Sequence, residues 1–164
     1  MYKYKKHFLN FSIISLIFIF DRISKLFIIN SAETFGEYGV SVTSFLNLTL
    51  IWNEGIAFGL FSFDEKIYYN LLTIFIILIT AIIIWLMLKS NGFEKFSFIM
   101  IIGGSLGNIF DRIFYSAVPD FIDIHINNFH WFIFNVADIF ITLGIICLIS
   151  IEILSSKKVK NENY

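Results

Sequence analysis

Cysteine and charge are both scarce in this chain. The single cysteine, Cys147, lies in the middle of an apolar run, so no internal disulfide can form and a packed thiol is the simplest expectation. Only 15% of the 164 residues are charged, against about a quarter in an ordinary soluble domain. The apolar share is 57% and the mean hydropathy +0.79, with the excess, mostly Ile and Phe, gathered in long runs. A soluble domain is excluded, and one integral membrane domain covering residues 1–164 is expected. Metal chemistry is not indicated either. His125 and His130 fall in a connecting segment, without i, i+4 spacing and without cysteines nearby. The net charge of −1 says little, because the sign is segregated along the chain.

Hydropathy marks four expected transmembrane helices, over residues 8–29, 69–88, 96–115 and 131–154. The second is the cleanest, twenty residues without a charge, which matches the ~20 residues a helix needs to cross ~30 Å of hydrocarbon. The N-terminus resembles a signal peptide in its Lys3, Lys5 and Lys6 followed by an apolar stretch. Asp21, Arg22 and Lys25 follow at once with no small-x-small cleavage site, so a retained first helix is expected. Lys3, Lys5, Lys6, Lys89, Lys95, Lys157, Lys158 and Lys160 fall at the two termini or in the turn between spans two and three, whereas the opposite connections hold only Lys66. The positive-inside rule then places both termini in the cytoplasm.

The outer connection over residues 31–67 reads as β-rich. From Val40 to Asn53 apolar and polar residues alternate with period two, punctuated by Gly36, Gly39, Gly55 and Gly59. The expected fold class is therefore an all-α membrane protein with a small β-rich element on its outer surface between helices one and two. Phe129, Trp131, Phe132 and Phe134 suit an interfacial aromatic belt.

An ionised side chain in hydrocarbon costs at least ~3 kcal/mol on insertion scales, so charges inside spans are functional candidates. The topology gathers them. Asp21 and Lys25, Asn108 with Asp111 and Arg112, and Asn135 with Asp138 all fall in the outer part of their helices; Asn53 and Asp120 lie on the outer connections. Glu152 alone sits near the inner end. On a helix starting at residue 131, Asp138 would lie roughly 10 Å below the outer boundary, sharing a face with Asn135 at i, i+3. Structural readings stand beside the functional ones: Asp21–Lys25 as an i, i+4 ion pair, Asp111–Arg112 as an interhelix clamp, and Gly103, Gly104 and Gly107 as close helix contacts. Asp120 and Asp138 resist such readings. No Lys or Arg lies between Arg112 and Lys157, so neither acid has a local cation. Close together, two carboxyls could share one proton. A small transporter is the alternative, but it predicts polar groups at every depth, and here the inner half of each span is apolar apart from Glu152. A membrane scaffold would not need the unpaired carboxyls.

Five segments in order carry a resemblance: Asp21-Arg22-Ile23-Ser24-Lys25; Asn53-Glu54-Gly55-Ile56-Ala57-Phe58-Gly59; Gly103 through Arg112; Val118-Pro119-Asp120-Phe121; and Phe134-Asn135-Val136-Ala137-Asp138. In these the chain resembles the lipoprotein signal peptidases, or signal peptidases II, a family of bacterial membrane aspartic proteases. The resemblance implies that Asp120 and Asp138 are the catalytic pair, and that Asn53, Gly104, Asn108, Arg112 and Asn135 position substrate or support the pair, with Asp21 and Lys25 as structural support. Ile56 departs from the family pattern, which has a smaller residue there, and is expected to reshape the pocket wall. The resemblance further implies cleavage of prolipoproteins just before a diacylglyceryl-modified cysteine at the outer leaflet of the bacterial inner membrane. Membrane lipid and globomycin-type cyclic peptides are the other expected partners, with no cofactor, no nucleic acid and a monomeric state.

Overall fold

The computed structural model describes residues 2–35, 39–55, 66–127 and 129–162. Its elements in chain order are α1 (Tyr2–Phe35), β1 (Val40–Thr43), β2 (Leu46–Asn53), α2 (Lys66–Lys89), α3 (Gly92–Tyr115), β3 (Val118–Ile126), β4 (Phe129–Phe134) and α4 (Val136–Glu162).

Helix α3 is the centre of the molecule. Of the three helices long and apolar enough to cross a membrane (Ile67–Lys89, Gly92–Tyr115 and Val136–Ser155), its most apolar stretch is 78% buried, against 17% in the other two. Such enclosure needs small residues, since helix association in lipid depends on close packing rather than on hydrophobic transfer. A Cβ on Gly103 would meet Ile17 of α1 at 2.8 Å, one on Gly104 would collide with the Ala137 carbonyl of α4, and one on Gly107 would strike the Asp21 carboxylate at 2.5 Å. The glycines thus admit α1 on one side and α4 on the other. Helix α2 presents a narrow buried stripe of Tyr69, Thr73, Thr80 and Met87 and leaves Leu71, Ile74, Phe75, Leu78 and Ile82 exposed, as befits a surface solvated by lipid. Ile99, Ile101, Ile102, Phe98 and Met87 form the inner core, with Ile13 and Ile14 of α1 packed against it.

Helix α1 is longer than the others but carries Asp21, Arg22 and Lys25. It runs parallel to α3: Ile17 faces Gly103 and, eight residues further along each helix, Lys25 reaches Asp111.

The sheet is four-stranded, antiparallel, in the order β1-β2-β3-β4. The alternation over residues 40–53 is realised as a hairpin, β1 and β2 joined at Ser44–Phe45. Two expectations need correction. The β-rich element is not confined to the first connection, because β3 and β4 contribute half of the sheet from the segment between α3 and α4. And the last helix begins at Val136, not at residue 131. Residues 129–134 are apolar enough to extend a hydropathy run, yet their backbone pairs with β3, from Ile126↔Phe129 to Ile122↔Phe134. His125 and His130 are likewise strand residues paired across β3 and β4, with rings stacked 5.1 Å apart. Phe121 on β3 joins Ile28 of α1 and Val136 of α4 in a second core cluster, seating the sheet on the helix ends. Gly36, Ile56 and Gly59 fall outside the described residues, and with them the expected effect of Ile56 on a pocket wall.

Candidate active site

The start of α4 organises the site. Asn135 is the N-cap, its side-chain oxygen accepting the Asp138 backbone N–H at 3.1 Å, while the Asp138 carboxylate accepts the Asn135 backbone N–H at 3.1 Å. This reciprocal pair is a capping box with aspartate in the N3 position. The Ala137 N–H between them donates to Asp21 at 2.9 Å. Three of the donors that a helix N-terminus leaves open are thereby satisfied by side chains of α4 and α1. Asn135 and Asp138 therefore do not share a helix face as the i, i+3 spacing suggests; they lock the helix start together, and Asp138 lies in the first turn.

Asn135 also reaches across. Its amide nitrogen donates to Asp120 Oδ1 at 2.6 Å, so the buried Asn135 side chain links the Asp120 carboxyl to the backbone of Asp138. Asp120, on β3, is 3% exposed, and its other oxygen accepts the Asn53 amide at 2.8 Å from the neighbouring end of β2. The register makes this contact possible: Ile51 pairs with Asp120 and Asn53 with Val118. Asn53 then accepts the Gly55 N–H at 2.8 Å, folding the chain away from the strand. Burial pushes the Asp120 carboxyl up to about 6, and the negative charge of Asp138 adds to the effect, against the opposing donors Asn53 and Asn135 and the charge of Lys25.

The remaining oxygen of Asp138 accepts the Asn108 amide at 2.8 Å. Asn108 Oδ1 in turn accepts Lys25 Nζ at 2.8 Å. Because an ammonium only donates, Lys25 forces the Asn108 oxygen toward itself and leaves the NH₂ for Asp138. Lys25 is fully buried and also binds Asp111 at 2.7 Å and Asp21 at 2.9 Å. Arg22 completes the group with Asp111 and, at 3.4 Å, Asp21. Two carboxylates and two cations make a neutral buried cluster that joins α1 to α3 and reaches the N-terminus of α4. Asp111 is thus a clamp, as its structural reading held, but Arg22 is a partner that spacing alone did not single out. Arg112 is not part of the clamp. It donates to the Asn108 carbonyl at 3.2 Å and to the Gly55 carbonyl at 3.0 Å, tying the end of β2 to α3.

Asn53, Asn108, Arg112, Asn135, Asp21 and Lys25 are all linked to one or both acids by this network. Gly104 is not hydrogen-bonded into it; it contributes the close approach of α3 to α4 at Ala137. Tyr69 of α2 was not singled out by the sequence. It is buried, feels the charges of Arg112, Asp111 and Glu54, and its hydroxyl has no hydrogen-bond partner among the described residues. The only signal in the sequence was a polar-tipped aromatic in the first turn of an otherwise apolar span. Asp123 binds His130 at 2.8 Å and Asn47 at 3.4 Å, apart from the two acids. Among the described residues no group of three or more His, Cys, Asp or Glu is placed to hold a metal ion.

Two carboxyls, one buried and one half-buried, both bonded by Asn135 and without a direct cation partner among the described residues, can hold one proton between them, which is the apparatus for acid–base activation of water. Known proteins agree with this chemistry. Residues 13–154 match the model of the signal peptidase (SPase) II family. The chain is 53% identical over 158 residues to a lipoprotein signal peptidase of Pelagibacter ubique, covering 96% of this chain and 95% of that protein. It is 45% identical over 133 residues to one of Francisella tularensis subsp. novicida, covering 77% and 83%. Among solved structures, a bacterial membrane enzyme determined by the in meso method at 2.3 Å superposes with a TM-score of 0.71 at 31% identity, covering 93% of this chain and 91% of that one. A second, at 1.9 Å, gives 0.70 at 30% identity. The chain belongs to the signal peptidase II family and is a membrane aspartic protease that removes signal peptides from prolipoproteins.

Proposed function

We propose that Asp120 and Asp138 are the catalytic pair, and that the enzyme cuts prolipoproteins just before a cysteine carrying diacylglycerol, in the outer leaflet of the bacterial cytoplasmic membrane. The observation that carries this is the Asn135 link: its side-chain nitrogen binds the Asp120 carboxyl while its backbone N–H binds the Asp138 carboxylate, and burial raises Asp120 to about 6, so that it keeps its proton further toward neutral pH than an ordinary carboxyl does. Asp138, in the first turn of α4 with a backbone N–H on its carboxylate, is placed to act as the ionised partner. It takes a proton from water as the water oxygen bonds to the scissile carbonyl carbon, and Asp120 gives its proton to the carbonyl oxygen. In the second step Asp138 returns its proton to the amide nitrogen as the C–N bond breaks, and Asp120 recovers one from the diol hydroxyl. Asn108, Lys25 and Asp21 hold Asp138; Asn53 and Asn135 hold Asp120; Arg112 steadies the strand end beside them.

The whole chain acts as one membrane domain, with α1 as a fourth span and both termini in the cytoplasm. The lysine asymmetry supports this, as does the parallel course of α1 beside α3. Globomycin-type peptides would occupy the same site, and the monomer contains every group used. The test is cleavage of a diacylglyceryl-modified prolipoprotein by purified, correctly inserted protein. Asp120→Asn and Asp138→Asn should each abolish turnover, and the double variant should be no worse than either. Near-normal turnover in one of them would remove that residue from the pair.

A further inference from the structure

Beside Asp138 lies a groove of about 230 Å³ that the mechanism does not use, lined by Phe132 and Phe134 of β4 and by Asp138, Ile139, Thr142 and Leu143 of α4. Its walls are apolar apart from the Asp138 carboxylate at one end and the Thr142 hydroxyl. The α4 residues recur at i, i+1, i+4 and i+5, so the groove follows the helix for about 7.5 Å from the acid toward the membrane interior at 1.5 Å per residue. Its flank is open to lipid, with Ile139 37% and Leu143 45% exposed, while the β4 aromatics roof its outer end.

We propose that this groove is the seat of one acyl chain of the substrate's lipid, which rests on the reading of Asp138 as catalytic and of the substrate cysteine as diacylglyceryl-modified. Three observations favour an acyl chain. The groove opens directly on the reacting carboxylate, so its occupant must be tethered within a residue or so of the scissile bond. It opens sideways to lipid, so a chain already dissolved in the membrane can enter without crossing water. And it is larger than an aliphatic or phenyl side chain fills. An apolar cavity of about 150 Å³ accommodates benzene; by proportion 230 Å³ takes about nine carbons, more than leucine or phenylalanine supplies. Because lipid tails are as apolar as the groove, seating the chain there gains little transfer energy. What it supplies is registry: a chain fixed against α4 fixes the adjacent peptide bond over the acids.

The full-length Asp120→Asn enzyme, expected to bind without turning over, would be mixed with prolipoprotein carrying a photoreactive diazirine near the middle of one acyl chain. After irradiation, cross-links should map to Phe134, Ile139, Thr142 or Leu143. Cross-links on α1 or α2, or spread evenly over lipid-facing residues, would overturn the proposal. In active enzyme, Thr142→Phe fills the groove, and the ratio of kcat/KM for dipalmitoyl over diacetyl substrate should fall by about tenfold. An unchanged ratio would reject the acyl chain; an unchanged ratio together with altered preference for the residue before the cleavage site would assign the groove to a peptide side chain instead. Failure of the parent reading shows separately, as wild-type enzyme cutting unlipidated and lipidated precursor at equal rates, and the proposal falls with it.

Discussion

Replacing Asn53 by alanine should move the alkaline limb of the pH–rate profile upward. Asn53 donates to Asp120 Oδ2 at 2.8 Å, a bond that is stronger when Asp120 is ionised. It therefore works against the burial and the Asp138 charge that push the carboxyl up to about 6. A hydrogen bond to a charged group contributes about 1.5–3 kcal/mol net. Asn53 is only half-buried, so the lower end applies, and at 1.36 kcal/mol per pH unit its loss should raise the midpoint by about one unit. On the proposed mechanism activity requires one proton on the pair, so it should be lost as pH rises through the Asp120 midpoint. The variant should thus keep a larger fraction of its maximal kcat/KM at pH 7 than the wild type does. Its plateau should fall, because the Gly55 N–H loses its acceptor and the chain leaving β2 is held less firmly. The assay is kcat/KM against pH on purified enzyme in lipid with a lipidated fluorogenic peptide. Asn47→Ala is the control: Asn47 donates to Asp123, not Asp120, so its limb should stay in place. A lower plateau with an unmoved limb in Asn53→Ala would show that Asn53 acts only on the chain path. A limb moved downward would show that the coupling has the opposite sign.

Asp120 should also be a stability liability. Between about 4 and 6 the folded state holds a proton that the unfolded chain has released, so stability falls as pH rises through that window and stays low above it. The displacement from 3.8 to about 6 corresponds to about 3 kcal/mol, so Asp120→Asn should gain about that much on wild type between pH 4 and pH 8 in thermal or SDS titration, above a pH-independent cost because its NH₂ must face the donor amide of Asn53 or Asn135. Lys25→Met should lower the folded fraction severely, by about 3–5 kcal/mol, since it leaves Asp21 and Asp111 buried with Arg22 alone; adding Asp111→Asn should recover part of the loss. Tyr69→Phe removes a buried hydroxyl that has no partner among the described residues, so the fold should be unchanged or more stable by about 1 kcal/mol, and a loss of more than that in the same unfolding assay would mean the hydroxyl is bonded.

What the sequence disclosed depended on how local the signal was. Depth is local where the helix bounds are right: a helix rising 1.5 Å per residue places Asp21 and Asp111 along α1 and α3, and lysine bias gives the expected orientation. The network is not local. Lys25 to Asp111, Asn53 to Asp120 and Ala137 to Asp21 join residues on different elements, and no periodicity predicts them. The start of α4 shows how a local signal misleads. Hydropathy runs without a break from residue 131, because a strand under an aromatic roof and a helix in lipid are apolar for the same reason; only hydrogen bonding separates them. Asn135-x-x-Asp138 was present as a capping pattern, with aspartate where glutamate or glutamine is usual, and it marks the boundary that hydropathy misses. The boundary matters for the proposed chemistry. A residue inside a span takes its position from the whole helix, whereas Asp138 takes its position from the cap. The cap is held by Asn135, Asn135 is tied to Asp120, and the N–H between them is held by Asp21 of α1. One side chain therefore sets both where α4 begins and how its acid meets the other, so Asn135 is the position where a change should separate the two acids while leaving each in its own element.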